Sequence, residues 1–275
     1  MPELPEVETV ANGVNERIRG ERIESVWLGR HKEPFKTQPA AMAKALEGRR
    51  IDRVYRVGKH IVFDLSTDDV QEDVQWIVHL GMTGRLLVST ADVPVPLHTH
   101  AVLRLSSGRE LRFVDARRFG RLALHRITEK SGGFRGPGHE PLTISTEEFA
   151  QLFRGRKLAI KAALLNQSLL HGVGNIYADE SLFRAGIRPT RVAGRLTRQQ
   201  LLALHTALQS VLKNAIQLGG SSVSDYVDAD GVAGFFQLEH RVYLRTGQPC
   251  LVCGTPIRRM LLAGRGTHYC PGCQK

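Results

Sequence analysis

PCLVCGTPIRRMLLAGRGTHYCPGC, residues 249–273, decides how the end of this chain folds. Cys250 and Cys253 form one C-x-x-C, Cys270 and Cys273 form another, and 16 residues lie between the pairs. Each pair can bend into a tight knuckle that turns two thiolates to one side, and two knuckles at the ends of a β-hairpin complete a tetrahedron around a metal. Two disulfides are the alternative, but the acidic start MPELPEVE is the reverse of a signal n-region, and a reducing cytosol keeps thiols free. One structural zinc ion is expected. With Cys at all four positions no site is left open for water, so the metal holds shape and performs no chemistry. Between the knuckles, Arg258, Arg259, Arg265 and His268 make a hairpin suited to phosphate, with solvated surface charge as the alternative.

Upstream of this tail, GGSSVSDYVDADGVAGFF (219–236) reads as a long loop, and compact domains seldom carry one that size without a use. Residues 142 to about 218 read as mostly helical. Ser145 with Glu148 and Thr197 with Gln200 fit the capping-box pattern ahead of helical stretches, and AIKAALLNQSLL and IYADESLFRAG supply two more helices. In HGVGNIYADESLF (171–183), Gly172-Val173-Gly174 breaks one helix and Asn175 can cap the next, leaving a helix N-terminus able to receive a phosphate. SGGFRGPGHEP (131–141) reads as a linker. Before it, IESVWL, RVYRV, HIVFDL, QWIVHL, HAVLRL and ELRFV are short β-prone runs, so the chain to about Ile127 reads as an all-β layer, sandwich or flattened barrel.

The 275 residues are 42% hydrophobic and 24% charged, an ordinary globular composition. A net charge of +11 points to nucleic acid or anionic lipid as partner. No apolar run reaches the roughly 20 residues a membrane span needs, so a cytoplasmic protein without membrane association is expected, with DNA or RNA favoured.

MPELPEVETV opens the chain with three carboxylates and two prolines, where termini usually fray. Val7, Val10, Val14 and Ile18 recur at helical spacing, so a helix begins almost at once and its packed face holds these residues still. The small second residue permits removal of Met1. Pro2 then carries a free secondary amine, which is a nucleophile.

PELPEVET, HGVGNIYADESLF and YLRTGQPCLVCGTPI with YCPGCQK together resemble the formamidopyrimidine-DNA glycosylase family of bacterial base-excision repair, over the whole length. The sister endonuclease VIII group usually begins PEGPE where this chain has PELPE, which supports the oxidised-purine branch. The resemblance implies an α+β, multidomain fold. Residues 1–130 are the catalytic β-sandwich with its N-terminal helix, 131–141 a linker, 142–236 a helix-two-turn-helix domain with a lesion-capping loop at 219–236, and 237–275 a zinc-finger β-hairpin. It implies a monomer on double-stranded DNA containing oxidised bases or abasic sites, bound across the cleft between domains. It also implies nucleoid association, no organic cofactor, and excision of 8-oxoguanine and formamidopyrimidines followed by β,δ-elimination. An endonuclease VIII-like enzyme for oxidised pyrimidines, or a noncatalytic zinc-finger DNA-binding protein, are the rival functions.

Residue by residue, the resemblance makes Pro2 the nucleophile, Glu3 the general acid-base and Glu6 a supporting carboxylate, with Glu8 solvated and without a role. Lys59 in RVGKHIVF reaches the active site from a β-turn. Met82 in HLGMTG, with Arg117 and Phe119 in DARRFG, fills the void left by the extruded base. By pattern alone Met82 and Phe119 are core residues and Arg117 a strand-edge charge. His98 in LHTH, Lys161 in LAIKAALLN, Asn175 and Arg265 contact the DNA backbone or line the binding cleft. Cys250, Cys253, Cys270 and Cys273 hold the metal.

Overall fold

In a computed structural model, which describes residues 1–68, 73–128, 132–223 and 226–275, the chain forms two compact units. The first is Met1–Arg135 with Gly219–Phe235, the second Gly136–Leu218 with Phe236–Lys275. Position 131 of the expected linker and positions 224–225 of the long loop lie outside the described residues.

The first unit starts with α1 (Leu4–Ile18), whose Pro5 sits in the first turn where no intrahelical N–H is needed. Val7, Val10, Val14 and Ile18 are fully buried, each contributing about 1.5–3 kcal/mol by leaving water. They share one core with two antiparallel four-stranded sheets. One sheet runs in the order β1 (Ile23–Leu28), β6 (Thr99–Leu105), β7 (Arg109–Val114), β5 (Arg85–Thr90). The other runs β2 (Arg50–Val57), β3 (His60–Ser66), β4 (Val74–His79), β8 (Arg121–Arg126). Phe63 and Trp76 from one sheet and Leu103, Leu111 and Phe113 from the other share this core. The Asn15 side-chain oxygen accepts from Val54 N at 2.8 Å, fixing α1 along β2.

An all-β reading to Ile127 missed α2 (Pro39–Leu46), which adds Met42 and Leu46 to the same core. Eight alanine-rich residues are too few to display a helical period. The outer face of β4 is covered as well. Phe134 lies 5.1 Å from the His60 ring and 6.2 Å from the His125 ring, and its N–H donates to Gln75 Oε1 at 2.6 Å. That cover explains why β4 is buried from Val74 through Val78.

Among its described residues the loop expected at 219–236 contains no helix or strand through Phe235, and Gly219–Phe235 belongs to the first unit, not to the helical one. The cause is apolar: Tyr226 and Ala229 are buried in the sandwich core, and Val88 N donates to Ala229 O at 3.0 Å. Arg17 and Asp230 add a bidentate ion pair from α1.

In the second unit both capping boxes form. Ser145 Oγ accepts from Glu148 N while Glu148 accepts from Ser145 N, opening α3 (Thr146–Phe153). Thr197 and Gln200 do the same for α6 (Arg198–Gln217). Phe149, Phe153, Leu204, Leu208 and Val211 are buried here. AIKAALLNQSLL gives only a short α4 (Ile160–Leu164), because its polar side chains capture the backbone beyond it. Asn166 Oδ1 accepts from Ser168 N, and Gln167 bonds Leu165 O, Val173 O and Gly172 N, a local alternative to helix. Helix α5 (Asn175–Arg184) follows, then the hairpin β9 (Arg258–Leu262) and β10 (Arg265–Tyr269). Among the described residues no helix is long and apolar enough to cross a membrane.

Candidate active site and nucleic-acid interface

In the first unit the N-terminus is held by acid groups that the sandwich buries. Pro2 is buried, and Glu3 and Glu6 are 4% and 2% exposed. Glu6 Oε2 accepts from Glu3 N at 2.8 Å, while its Oε1 accepts from Ser221 N at 2.7 Å. One carboxylate on α1 therefore grips both the Pro2-Glu3 segment and the loop beginning at Gly219. Gly220 sits at φ +80°, and a Cβ there would stand 3.0 Å from Glu6 Oε1, so glycine permits the approach. The Tyr226 hydroxyl is pushed up from its ordinary pKa by burial and by the Glu6 charge, and it donates to Gly219 O at 3.0 Å.

Lys59 follows Gly58 at the tip of the β2–β3 hairpin, half-buried. Glu8, expected to be solvated, instead pairs with Arg56 at 2.5 Å, and Arg56 donates onward to Gly58 O at 3.3 Å. This corrects the reading of Glu8: α1 holds the lysine turn by its outer carboxylate and the loop by its inner one. Nothing in PEVET could reveal Glu8's partner, because Arg56 lies 48 residues away.

Met82 and Phe119 are exposed, which overturns their reading as core residues by pattern alone, and Arg117 is exposed between them in the turn after β7. The Arg117 guanidinium lies 4.9 Å from the centre of the Phe119 ring. Beside Arg117 and Phe119 a hollow of about 500 Å³ is lined by Lys36, Arg117, Arg118 and Arg121 with Glu33, a balance that favours anions. His98 is exposed at φ 66° and Arg118 at φ 58°, left-handed conformations that cost non-glycine residues of order 1–3 kcal/mol and cluster at functional sites.

The second unit contains the four cysteines, whose sulfurs all lie within 4.8 Å of one another. Cys250 Sγ is 3.8 Å from Cys273 Sγ, and Cys253 Sγ is 3.4 Å from Cys270 Sγ. Tetrahedral Zn–S bonds of about 2.3 Å place sulfurs roughly 3.8 Å apart, so the residues fit zinc. Val252 N and Cys273 N donate to Cys250 Sγ and Cys270 Sγ, as metal knuckles require. Burial and the neighbouring sulfurs push the Cys273 thiol up, a repulsion a divalent cation relieves.

The hairpin is fixed to α5 by buried charge. Lys161 Nζ is 2.7 Å from Asp179 Oδ1, both side chains fully buried, and it donates to Thr267 Oγ1 at 2.8 Å and Gly266 O at 3.2 Å. Lys161 therefore cannot reach DNA, and its expected contact is corrected to an internal one. His268, expected on the phosphate-facing surface, is likewise buried: its N–H donates to Asp179 Oδ2 at 2.8 Å and its Nδ1 lies 3.2 Å from the same oxygen. Glu180, beside Asp179, accepts the backbone N–H groups of Arg241, Val242 and Tyr243. These two acids were missed, although adjacent carboxylates inside the otherwise apolar IYADESLF carry the signal. Asn175 is the first helical residue, with Gly174 as the N-cap, and its Nδ2 donates to Gly266 O at 3.0 Å. Arg265 is left exposed at the start of β10.

Three family descriptions match in order: the formamidopyrimidine-DNA glycosylase N-terminal domain over residues 1–122, its H2TH domain over 137–227, and a zinc finger found in FPG and IleRS over 247–275. The four cysteines are thus a structural zinc site. A formamidopyrimidine-DNA glycosylase of Solibacter usitatus is 46% identical over 275 residues, covering all of both chains. The crystal structure of the MutM (FPG) protein from Thermus thermophilus matches with a TM-score of 0.85 and 41% identity over 99% of this chain and 98% of that one. The Lactococcus lactis Fpg complexed with abasic-site DNA matches at 0.87, with 34% identity and 99% of each chain covered. Likeness of this degree, continuous from end to end, makes the chain a member of the formamidopyrimidine-DNA glycosylase family of DNA-repair enzymes.

Proposed function

We propose that this glycosylase excises 8-oxoguanine and formamidopyrimidines from duplex DNA through the amine of Pro2, then cleaves the abasic site by β,δ-elimination. The observation that carries the reading is the Glu6 carboxylate, which holds the Pro2-Glu3 segment against α1 and the 219–235 loop in one grip. A terminus that serves no chemistry has no need of such restraint.

With Met1 attached, the Pro2 nitrogen is an amide and not nucleophilic. Its removal yields a secondary amine with a reference pKa of about 8, appreciably neutral near pH 7. That amine attacks C1′ as the base departs, and Glu3 protonates the ring oxygen so that the sugar opens to a cationic iminium. Glu3 then manages protons through elimination, and Lys59 contacts the phosphate beside the lesion.

Extruding a base costs a few kcal/mol, offset by side chains that occupy the gap. Met82 and Phe119 fill and wedge it, and Arg117 bonds the orphaned cytosine. His98 and Arg265 contact the DNA backbone, as does Asn175, whose amide has a second hydrogen beyond the one given to Gly266. These contacts position the duplex without reading sequence, which suits an enzyme that searches a whole nucleoid.

Borohydride reduction of the protein on duplex DNA with 8-oxoguanine opposite cytosine is expected to trap a covalent adduct, located to Pro2 by peptide mass spectrometry. Protein that retains Met1 is expected to give none. A correctly processed, folded protein that yields no adduct refutes the mechanism.

A further inference from the structure

The three residues assigned to the gap come from two separate turns, Met82 from Leu80–Gly84 and Arg117 with Phe119 from Asp115–Gly120, and a single buried carboxylate joins these turns. Asp115 is fully buried. Its Oδ1 accepts from Thr83 Oγ1 at 2.6 Å and from Arg117 N at 3.3 Å, while its Oδ2 accepts from Gly120 N at 2.7 Å. Each bond lands beside a gap residue: Thr83 follows Met82, Arg117 is one itself, and Gly120 follows Phe119.

The backbone of Asp115 extends the network. Its N–H donates to His98 O at 3.0 Å, and its carbonyl accepts from Arg118 N at 3.3 Å and lies 2.9 Å from His100 Nε2. His98 and Arg118 are the two left-handed residues noted above, so the network holds backbone that would otherwise relax. The two turns also touch directly. A Cβ on Gly81 would stand 2.5 Å from both Phe119 C and Gly120 N.

We propose that Asp115 is a positioning residue that makes Met82, Arg117 and Phe119 one rigid wedge and thereby sets discrimination of the base opposite the lesion. The inference rests on the gap-filling role proposed for those three residues. A wedge inserted into a duplex works only if its parts keep their spacing under load. Two turns held by backbone contact alone could part, whereas a buried carboxylate bonded to both turns resists separation.

The test compares Asp115→Asn and Asp115→Ala with the wild-type protein for excision of 8-oxoguanine opposite cytosine and opposite adenine. Asparagine matches aspartate in shape but must aim an NH₂ at Gly120 N–H or at the Thr83 and Arg117 donors; the Thr83 hydroxyl can turn to accept, the backbone groups cannot. Activity opposite cytosine is expected to fall in the order wild type, Asn, Ala, with a roughly ten- to hundredfold loss of kcat/KM for Ala and a cytosine-to-adenine ratio moving towards one. A space-filling role predicts instead that Asn behaves as wild type. Folding is followed by circular dichroism, and should the Ala protein not fold, the Asn protein decides alone. A folded Asn variant with wild-type kcat/KM and an unchanged ratio overturns the proposal. Arg117→Ala beside an unaltered Asp115 reads the gap-filling role itself, so an unchanged cytosine-to-adenine ratio in that variant would count against the underlying reading and not against the bonds that Asp115 makes.

Discussion

Replacing Lys161 with methionine separates two roles that the bare sequence leaves entangled. If Lys161 neutralised a DNA phosphate, Lys161→Met would leave folding intact and reduce the slope of log K against log salt by about 0.9, the value of one lost phosphate contact on B-DNA. In the structure its ammonium is fully buried against Asp179 and bonded to Thr267 and Gly266. Removing one partner of such a pair leaves an uncompensated buried charge, a loss of about 3–5 kcal/mol. For a unit of this size each kcal/mol lowers Tm by roughly 4 °C, so a fall of about 12–20 °C is expected in the transition of the second unit. His268 still bonds Asp179, which sets the expectation nearer the lower end. The same substitution made with Asp179→Leu is expected to recover part of the loss, because two apolar groups orphan no charge on each other. Calorimetry or circular dichroism melts, paired with DNA binding across a salt series, check both arms. An unchanged Tm with a salt slope reduced by about one contact would refute the structural role and restore Lys161 to the DNA surface.

Metal removal and pH supply two further tests. Zinc chelation is expected to unfold the hairpin that carries Arg265 and weaken DNA binding, since the four sulfurs repel without a cation; unchanged affinity after verified metal loss rejects that link. Burial lowers the His79 pKa to about 4, and its Nδ1 must stay unprotonated to accept from Gly81 N at 3.0 Å. Above the unfolded value of about 6.5 neither state is charged there; as pH falls from 6.5 towards 4 the unfolded chain takes a proton that the folded one refuses, so up to roughly 3 kcal/mol of stability is lost in that window. Melts between pH 8 and 4 should show a shallower loss for His79→Gln than for wild type, and parallel curves would dismiss the contribution of His79.

Signals confined to a few neighbouring residues could be read directly from the sequence. The cysteine knuckles, the capping boxes at Ser145 and Thr197, the apolar stripe of α1 and the turn at Gly58-Lys59 each depend on spacing within a few positions, which the peptide geometry fixes on its own. Asn175 shows where that reading strays: it looks like a cap, yet Gly174 takes that place and Asn175 spends its amide on Gly266, 91 residues away.

The amino-acid sequence alone determined the order of the parts, the metal ligands, the early helix and, through resemblance, the family. Only the tertiary structure decided which charges face solvent. Lys161 and Arg265 are both basic residues in promising motifs, but one is sealed against Asp179 and the other stands at the rim of a hairpin. Glu8 and Asp115 likewise acquired their partners, Arg56 and Thr83, only when α1 packed on β2 and β5 paired with β7. The physical reason is that a side chain's charge is local to its residue, whereas burial and the partner that compensates it belong to the packing of segments far apart in the chain.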